Sequence, residues 1–212
     1  MQENVRNNQA ISIDVSIYSI INNRLHILLI QRAKEPYKNM WSLIGGIVLN
    51  SETCEESVKR ELEEKVGITN ISPKLSGVFS DPKRDSRYRN ISISYCCMAN
   101  SNLSINCNPE KVLDVKWFPV AELPELAFDH DKIIEKSYAD IKESVYDIEY
   151  MKPYLPETFT FSTLQMIYES ILGVELDKRN FRRKINSLKC LIDTGKKNEQ
   201  DTHKKSNIYK LK

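Results

Sequence analysis

The chain has 212 residues, 41% of them hydrophobic and 28% charged, with a formal net charge of +2. That length suits a soluble globular protein with one full domain and a small second one, and the near-neutral total points to no particular partner. The distribution says more: residues 173–212 hold twelve Lys/Arg against five Asp/Glu, so the preceding residues are net acidic, an asymmetry expected of a basic, nucleic-acid-binding module. The five cysteines form no CxxC pair, which fits reduced thiols in the cytoplasm better than a disulfide framework. The N-terminal residues MQENVRNNQA lack the apolar stretch of a signal peptide, and no apolar run is long enough for a membrane span.

In chain order, residues 11–20 alternate and are rich in Ile and Val, so they read as a strand, with Asn22-Asn23 as the turn into a returning strand over 25–31. A helix is predicted over 51–66, entered at Ser51, with Glu52, Glu55 and Glu56 in its first turns and Gly67 as its stop. Strands are expected over 75–80, 90–99 and 115–118, and a helix that packs back onto the sheet over 129–149. Mixed strands with two helices indicate an α/β or α+β sandwich. PYLPETF (153–159) reads as a linker. Beyond it come an apolar-striped helix over 162–172 (Leu164, Ile167, Ile171, Leu172), a basic helix over 178–188 and a strand pair ending in NIYKLK, which is the order of a winged helix-turn-helix.

The segment 46–68, GIVLNSETCEESVKRELEEKVGI, carries the first chemical pattern. Glu61 and Glu64 share one helix face, and two clustered carboxylates suit a Mg²⁺ ion that bridges phosphate oxygens. Glu55, Glu56 and Glu63 read as solvated acidic surface. Gly46, Glu52, Arg60, Glu61, Leu62, Glu64, Gly67 and Ile68 stand at the offsets of the Nudix box, so the segment resembles that family. The resemblance implies a Nudix-type α/β/α sandwich with a mixed sheet. It also implies Glu61 and Glu64 as catalytic carboxylates, with Gly46, Glu61 and Glu64 holding any metal.

One box position departs from the pattern: Lys65 stands where the family has a further Glu. Lys65 lies only about 40° around the helix from Glu61, while Glu63 lies about 200° away and is poorly placed to replace the lost acid. A positive charge ~5 Å from Mg²⁺ costs roughly 7 kcal/mol at an effective dielectric near 20. Impaired catalysis and a weak or absent Mg²⁺ site are therefore expected. Lys65 is expected to pair with Glu61 or to meet a pyrophosphate directly.

The loop DPKRDSRYR (81–89) supplies Arg84, Arg87 and Arg89, which with Lys65 are the candidate ligand-binding cations. This loop and the segment WFPVAELPELAFDHDKII (117–134) resemble ADP-ribose-type Nudix proteins; His130 within it reads as structural, with contact to a ligand as the alternative. In KRNFRRKINSL, Phe181, Ile185 and Leu188 have the spacing of a core stripe. Arg179, Asn180, Arg182, Arg183 and Asn186 are left for base edges, and Lys196, Lys197, Lys204 and Lys205 suit phosphate contacts from a wing.

Residues 156–212 are similar to the winged helix of Nudix-related transcriptional regulators of NAD or sugar metabolism. The resemblance implies a ligand-binding domain over 1–150 and a DNA-binding domain over 151–212. It also implies a double-stranded DNA operator, ADP-ribose or a related phosphorylated sugar or nucleotide as effector, and a cytoplasmic regulator. The small interface of a single winged helix makes a homodimer the expected form. The alternative reading is an active, Mg²⁺-dependent ADP-ribose pyrophosphatase with an accessory tail.

Overall fold

The computed structural model describes residues 9–100, 102–152, 155–198 and 205–212. The chain divides into two compact units. The first comprises residues up to Ser19 with His26–Asp140, and the second comprises Ile20–Leu25 with Ile141–Lys212. Of the linker expected over 153–159, Pro153 and Tyr154 lie outside the described residues.

The first unit is built on a mixed sheet. Strand β1 (Ala10–Ile21) is central: β6 (Asn90–Met98) runs parallel to it and β4 (Ile44–Ile47) antiparallel. Strand β2 (Arg24–Arg32) pairs with β3 (Trp41–Ser42) and β7 (Val112–Pro119), and β5 (Lys74–Phe79) closes the far edge on β6. Asn22 and Asn23 take φ of 49° and 60°, the left-handed pair that a two-residue hairpin turn requires and that Asn tolerates.

Side chains alternate across β1. Ile13, Val15 and Ile17 face helix α1 (Cys54–Val66) and form one core with its Val58, Leu62 and Val66. On the opposite face the Tyr18 hydroxyl reaches the Ile134 carbonyl at 3.1 Å and Ser137 Oγ at 2.7 Å, both on α2 (His130–Ser144). The sheet is thus covered on both faces, and β1 is buried along most of its length.

Two helix boundaries differ from the sequence reading by three residues or more. Helix α1 starts at Cys54 rather than at Ser51, because Thr53 and Glu56 form a reciprocal capping box; Glu52 is released for another use. The helix expected over 129–149 ends at Ser144, and α3 (Ile148–Met151) restarts under an Asp147 N-cap.

The second unit contains β8 (Phe159–Thr160), α4 (Phe161–Leu172), α5 (Lys178–Ser187), β9 (Leu191–Lys197) and β10 (Asn207–Leu211). The strands form an antiparallel sheet in the order β8-β10-β9. Leu164, Ile167, Tyr168 and Ile171 of α4 meet Phe181 and Ile185 of α5 in its core, where the Tyr168 and Phe181 rings pack at 5.2 Å. The turn between the helices is fixed by Glu169, whose carboxylate accepts from Leu176 N at 2.9 Å and from Gln165 Nε2 at 2.8 Å. Asp177 caps α5 by accepting from Asn180 N at 2.8 Å. No helix among the described residues is long and apolar enough to cross a membrane.

Candidate functional site

The first unit holds a cavity of about 530 Å³ between α1, the β1–β4 strands and the loop that precedes β6. Seven Lys or Arg side chains line it against five carboxylates, so it suits an anion.

The Nudix-box side of the cavity is an ion-pair network centred on Arg60. Its Nε and Nη2 clamp Glu52 at 2.8 and 2.7 Å, and its Nη1 donates to Glu61 Oε1 at 2.6 Å. The bidentate pair with Arg60 holds the Glu52 carboxyl down at about 2. Glu61 can lie against the β4 backbone because residue 46 is glycine: a Cβ there would stand 2.0 Å from Glu61 Oε1. Gly67, at φ 69°, closes the helix in the left-handed region.

Lys65 lies in this corner. Its Nζ is 3.0 Å from Glu61 Oε2 and also donates to the Gly45 carbonyl. Lys65 thus meets the Gly45 carbonyl, while Gly46, expected among the residues that would hold a metal, clears space for Glu61. Glu64 is ion-paired with Lys111, whose ammonium holds its carboxyl below the usual carboxylate range. Among the described residues, no group of three or more His, Cys, Asp or Glu side chains is arranged to hold a metal ion.

The opposite wall carries the loop arginines, which take three different positions. Arg84 is buried and its charge is already met: its guanidinium binds Asp129 at 2.8 and 3.2 Å and approaches Asp14 at 3.5 Å. This candidate ligand-binding residue lines the cavity from within a buried pair. Arg87 pairs with Asp85 at 2.8 Å, stacks over Tyr88 at 4.8 Å and faces the cavity. Arg89 donates to the Ser80 carbonyl at 2.7 Å and is not among the lining residues; its side chain is directed along the loop instead.

His130 is buried within this wall and is among the residues that line the cavity. Its Nδ1 accepts from Leu43 N at 2.9 Å, its Nε2 lies 3.3 Å from Asp14, and burial lowers its pKa. A neutral ring that donates to Asp14 satisfies both contacts.

Lining residues that the sequence reading missed include Arg32, Lys111 and Phe128. Phe128 holds a positive φ of 57°, with Arg32 stacked over its ring at 4.9 Å. An aromatic in that backbone region is strained and must be held by its surroundings. Guanidinium groups beside an aromatic wall suit a ligand that combines phosphates with a ring.

The second unit presents a different surface. About the α5 axis, buried Phe181 and Ile185 mark the inward direction, and at about 100° per residue Arg183 points directly opposite. Arg179, Asn180, Arg183 and Asn186 are exposed. Arg182 lies on a flank, its guanidinium 4.6 Å over the Phe161 ring and 3.4 Å from the Tyr209 hydroxyl. Leu188, expected in the core stripe, is only partly buried because α5 ends at Ser187. In the wing, Lys196, Lys197 and Lys205 are exposed, and Lys204 lies outside the described residues.

Comparisons with known proteins match both modules. The NUDIX domain family matches residues 11–139, and the NrtR DNA-binding winged helix domain matches residues 153–211. The chain is 31% identical to the ADPR responsive transcriptional repressor NtrR of Acinetobacter baylyi, over 91% of this chain and 76% of that one. It is 38% identical to the ADP-ribose pyrophosphatase of Methanocaldococcus jannaschii, over 57% of this chain and 70% of that one. Among solved structures, Shewanella oneidensis NrtR complexed with a 27mer DNA matches with a TM-score of 0.72 at 27% identity, covering 95% of this chain and 93% of that one. The NUDIX domain of the same protein complexed with ADP ribose matches with a TM-score of 0.59 at 27% identity, over 64% of this chain and 90% of that one.

Proposed function

Since the chain belongs to the Nudix family, in the branch that joins a Nudix domain to an NrtR-type winged helix, we propose that it is a transcription repressor. Its winged helix binds operator DNA, and its Nudix cavity senses ADP-ribose or a related phosphorylated sugar or nucleotide. The observation that carries this reading is the joining of the two modules in one chain: a cation-lined cavity in one unit, and an exposed Arg/Asn face on α5 in the other. In the proposed roles Lys65 and Arg87 meet the phosphates, with Arg32 and Phe128 beside the ring, while Arg84 holds the wall through Asp129. On DNA, Arg179, Asn180, Arg183 and Asn186 face base edges, and Arg182, Lys196, Lys197, Lys204 and Lys205 meet the backbone. The working form is a cytoplasmic homodimer on two half-sites.

The test is operator binding by the full chain, followed by fluorescence anisotropy at fixed salt with and without ADP-ribose. ADP-ribose is expected to shift operator affinity by ~5–150-fold, and by linkage operator must shift ADP-ribose affinity by the same factor. Equal affinity in both conditions refutes the sensing role. The second reading, an ADP-ribose pyrophosphatase, is favoured by Arg60, Glu61 and Glu64 standing at the Nudix-box offsets and by the Methanocaldococcus relative. Release of AMP from ADP-ribose in Mg²⁺, at a rate unaffected by Lys65→Glu, would support it.

A further inference from the structure

The cation that a Nudix box recruits does not fit the residues of this cavity. Mg²⁺ requires oxygen ligands in a near-octahedral set at about 2.0–2.1 Å. The corner that would supply them is already bonded to nitrogen. Glu61 Oε1 accepts from Arg60 at 2.6 Å, Glu61 Oε2 lies 3.0 Å from Lys65 Nζ, and the Gly45 carbonyl accepts from the same ammonium. Glu64 is paired with Lys111. The charges of Glu52, Glu61 and Glu64 are balanced by Arg60, Lys65 and Lys111, so the corner has no excess negative charge to attract a dication. The Glu61 side chain is only 9% exposed, so this pairing is little diluted by water.

We propose that Lys65 is a built-in counter-cation, and that this cavity binds a diphosphate ligand without a divalent metal. An ammonium has three N–H donors in fixed tetrahedral directions. Glu61 and the Gly45 carbonyl use two of them, and Lys65 lines the cavity. The third is left for a phosphate oxygen at the place where a metal-bridged oxygen would otherwise sit. Unlike a bound ion, this charge is covalently attached, so its strength does not vary with free Mg²⁺. The inference rests on the reading of the cavity as a diphosphate-sugar pocket, and the experiment separates the two.

The full chain is compared with Lys65→Glu and Lys65→Ala, each checked by thermal melting. In the first arm Mn²⁺ is titrated without ligand, and the free ion is followed by electron paramagnetic resonance. The wild type is expected to take up no stoichiometric Mn²⁺, and Lys65→Glu to take up one equivalent. In the second arm ADP-ribose is titrated calorimetrically in EDTA and in millimolar Mg²⁺. Wild-type affinity is expected to agree within about twofold between the two, while Lys65→Ala loses ~tenfold or more in EDTA. Lys65→Glu is expected to bind in Mg²⁺ only. One equivalent of Mn²⁺ on the wild type, or wild-type ADP-ribose binding that vanishes in EDTA, overturns the proposal. If Lys65→Glu fails to melt cooperatively, Lys65→Ala decides, and an unchanged affinity in EDTA refutes the role of Lys65. ADP-ribose binding in neither buffer would sink the effector reading, while the Mn²⁺ arm still decides whether Lys65 excludes the ion.

Discussion

Replacing Arg183 by alanine should weaken operator binding while leaving the fold intact. On α5 the side chain points directly away from buried Phe181 and Ile185, and its guanidinium donates to Asn180 Oδ1 at 3.0 Å. Removing it therefore costs little in the free protein, within about 0.5 kcal/mol for an exposed site. A well-placed Arg in a major groove is worth about 1–3 kcal/mol of base discrimination, which corresponds to a loss of roughly 5–150-fold in affinity. Arg182→Ala gives the contrast. It forfeits the stack on Phe161 and the Tyr209 contact, worth about 0.5–1 kcal/mol of stability at an exposed site, or a fall in Tm of a few degrees. Fluorescence anisotropy with operator and with scrambled duplex at fixed salt, paired with melting curves, reads both effects. The expected pattern is that Arg183→Ala loses operator preference at unchanged Tm, while Arg182→Ala lowers Tm and weakens both duplexes alike. Operator affinity equal to wild type in Arg183→Ala would show that α5 does not read the bases.

Three further outcomes are expected. Lys196→Ala with Lys197→Ala should make the plot of log affinity against log salt shallower by ~1.8, if each lysine neutralises one phosphate; an unchanged slope removes the wing from the interface. The Glu52 carboxyl is depressed to about 2 from an ordinary 4.5 by Arg60. A depressed acid contributes stability that is fully present above its unfolded pKa and is lost as pH falls through its folded one. The Tm gap between wild type and Glu52→Gln should therefore close as pH is lowered from 4.5 toward 2, and a constant gap would refute the pairing. Sedimentation should give about 49 kDa, twice the 24.6 kDa chain, and a monomer with and without DNA would remove the two-half-site scheme.

Much of the Nudix side was legible because its chemistry is local. The offsets of Gly46, Glu52, Arg60, Glu61 and Glu64 lie within one strand, turn and helix, and helix geometry alone placed Lys65 next to Glu61. The start of α1 was also available: Thr53 and Glu56 have the spacing of a capping box, whereas three residues beyond Ser51 stands Cys54. What escaped was set by long-range pairing. Lys111 reaches Glu64 from a loop 47 residues away, and nothing in its own surroundings distinguishes it from a solvated lysine. Arg84 reads as one more loop cation until folding brings Asp14 and Asp129 beside it. Phe128 looks like ordinary core, because its positive φ is imposed by tertiary context. The winged helix was read from periodicity, which located the α5 core face but not the aromatic stack that ties down the exposed Arg182 on its flank.

That stack has a further consequence. Phe161 begins α4, Phe181 and Arg182 belong to α5, and Tyr209 lies in the wing strand β10; the ring of Phe161 meets Tyr209 at 5.3 Å and Phe181 at 6.3 Å. Three separate segments of chain are thereby fastened at one point, with the reading helix and the wing on either side of it. Among the described residues, a duplex that docks on this unit meets a helix and a wing strand already fastened together, which lowers the cost of ordering them on association. The placement of α5 against β10 is thereby set within the protein before any duplex arrives.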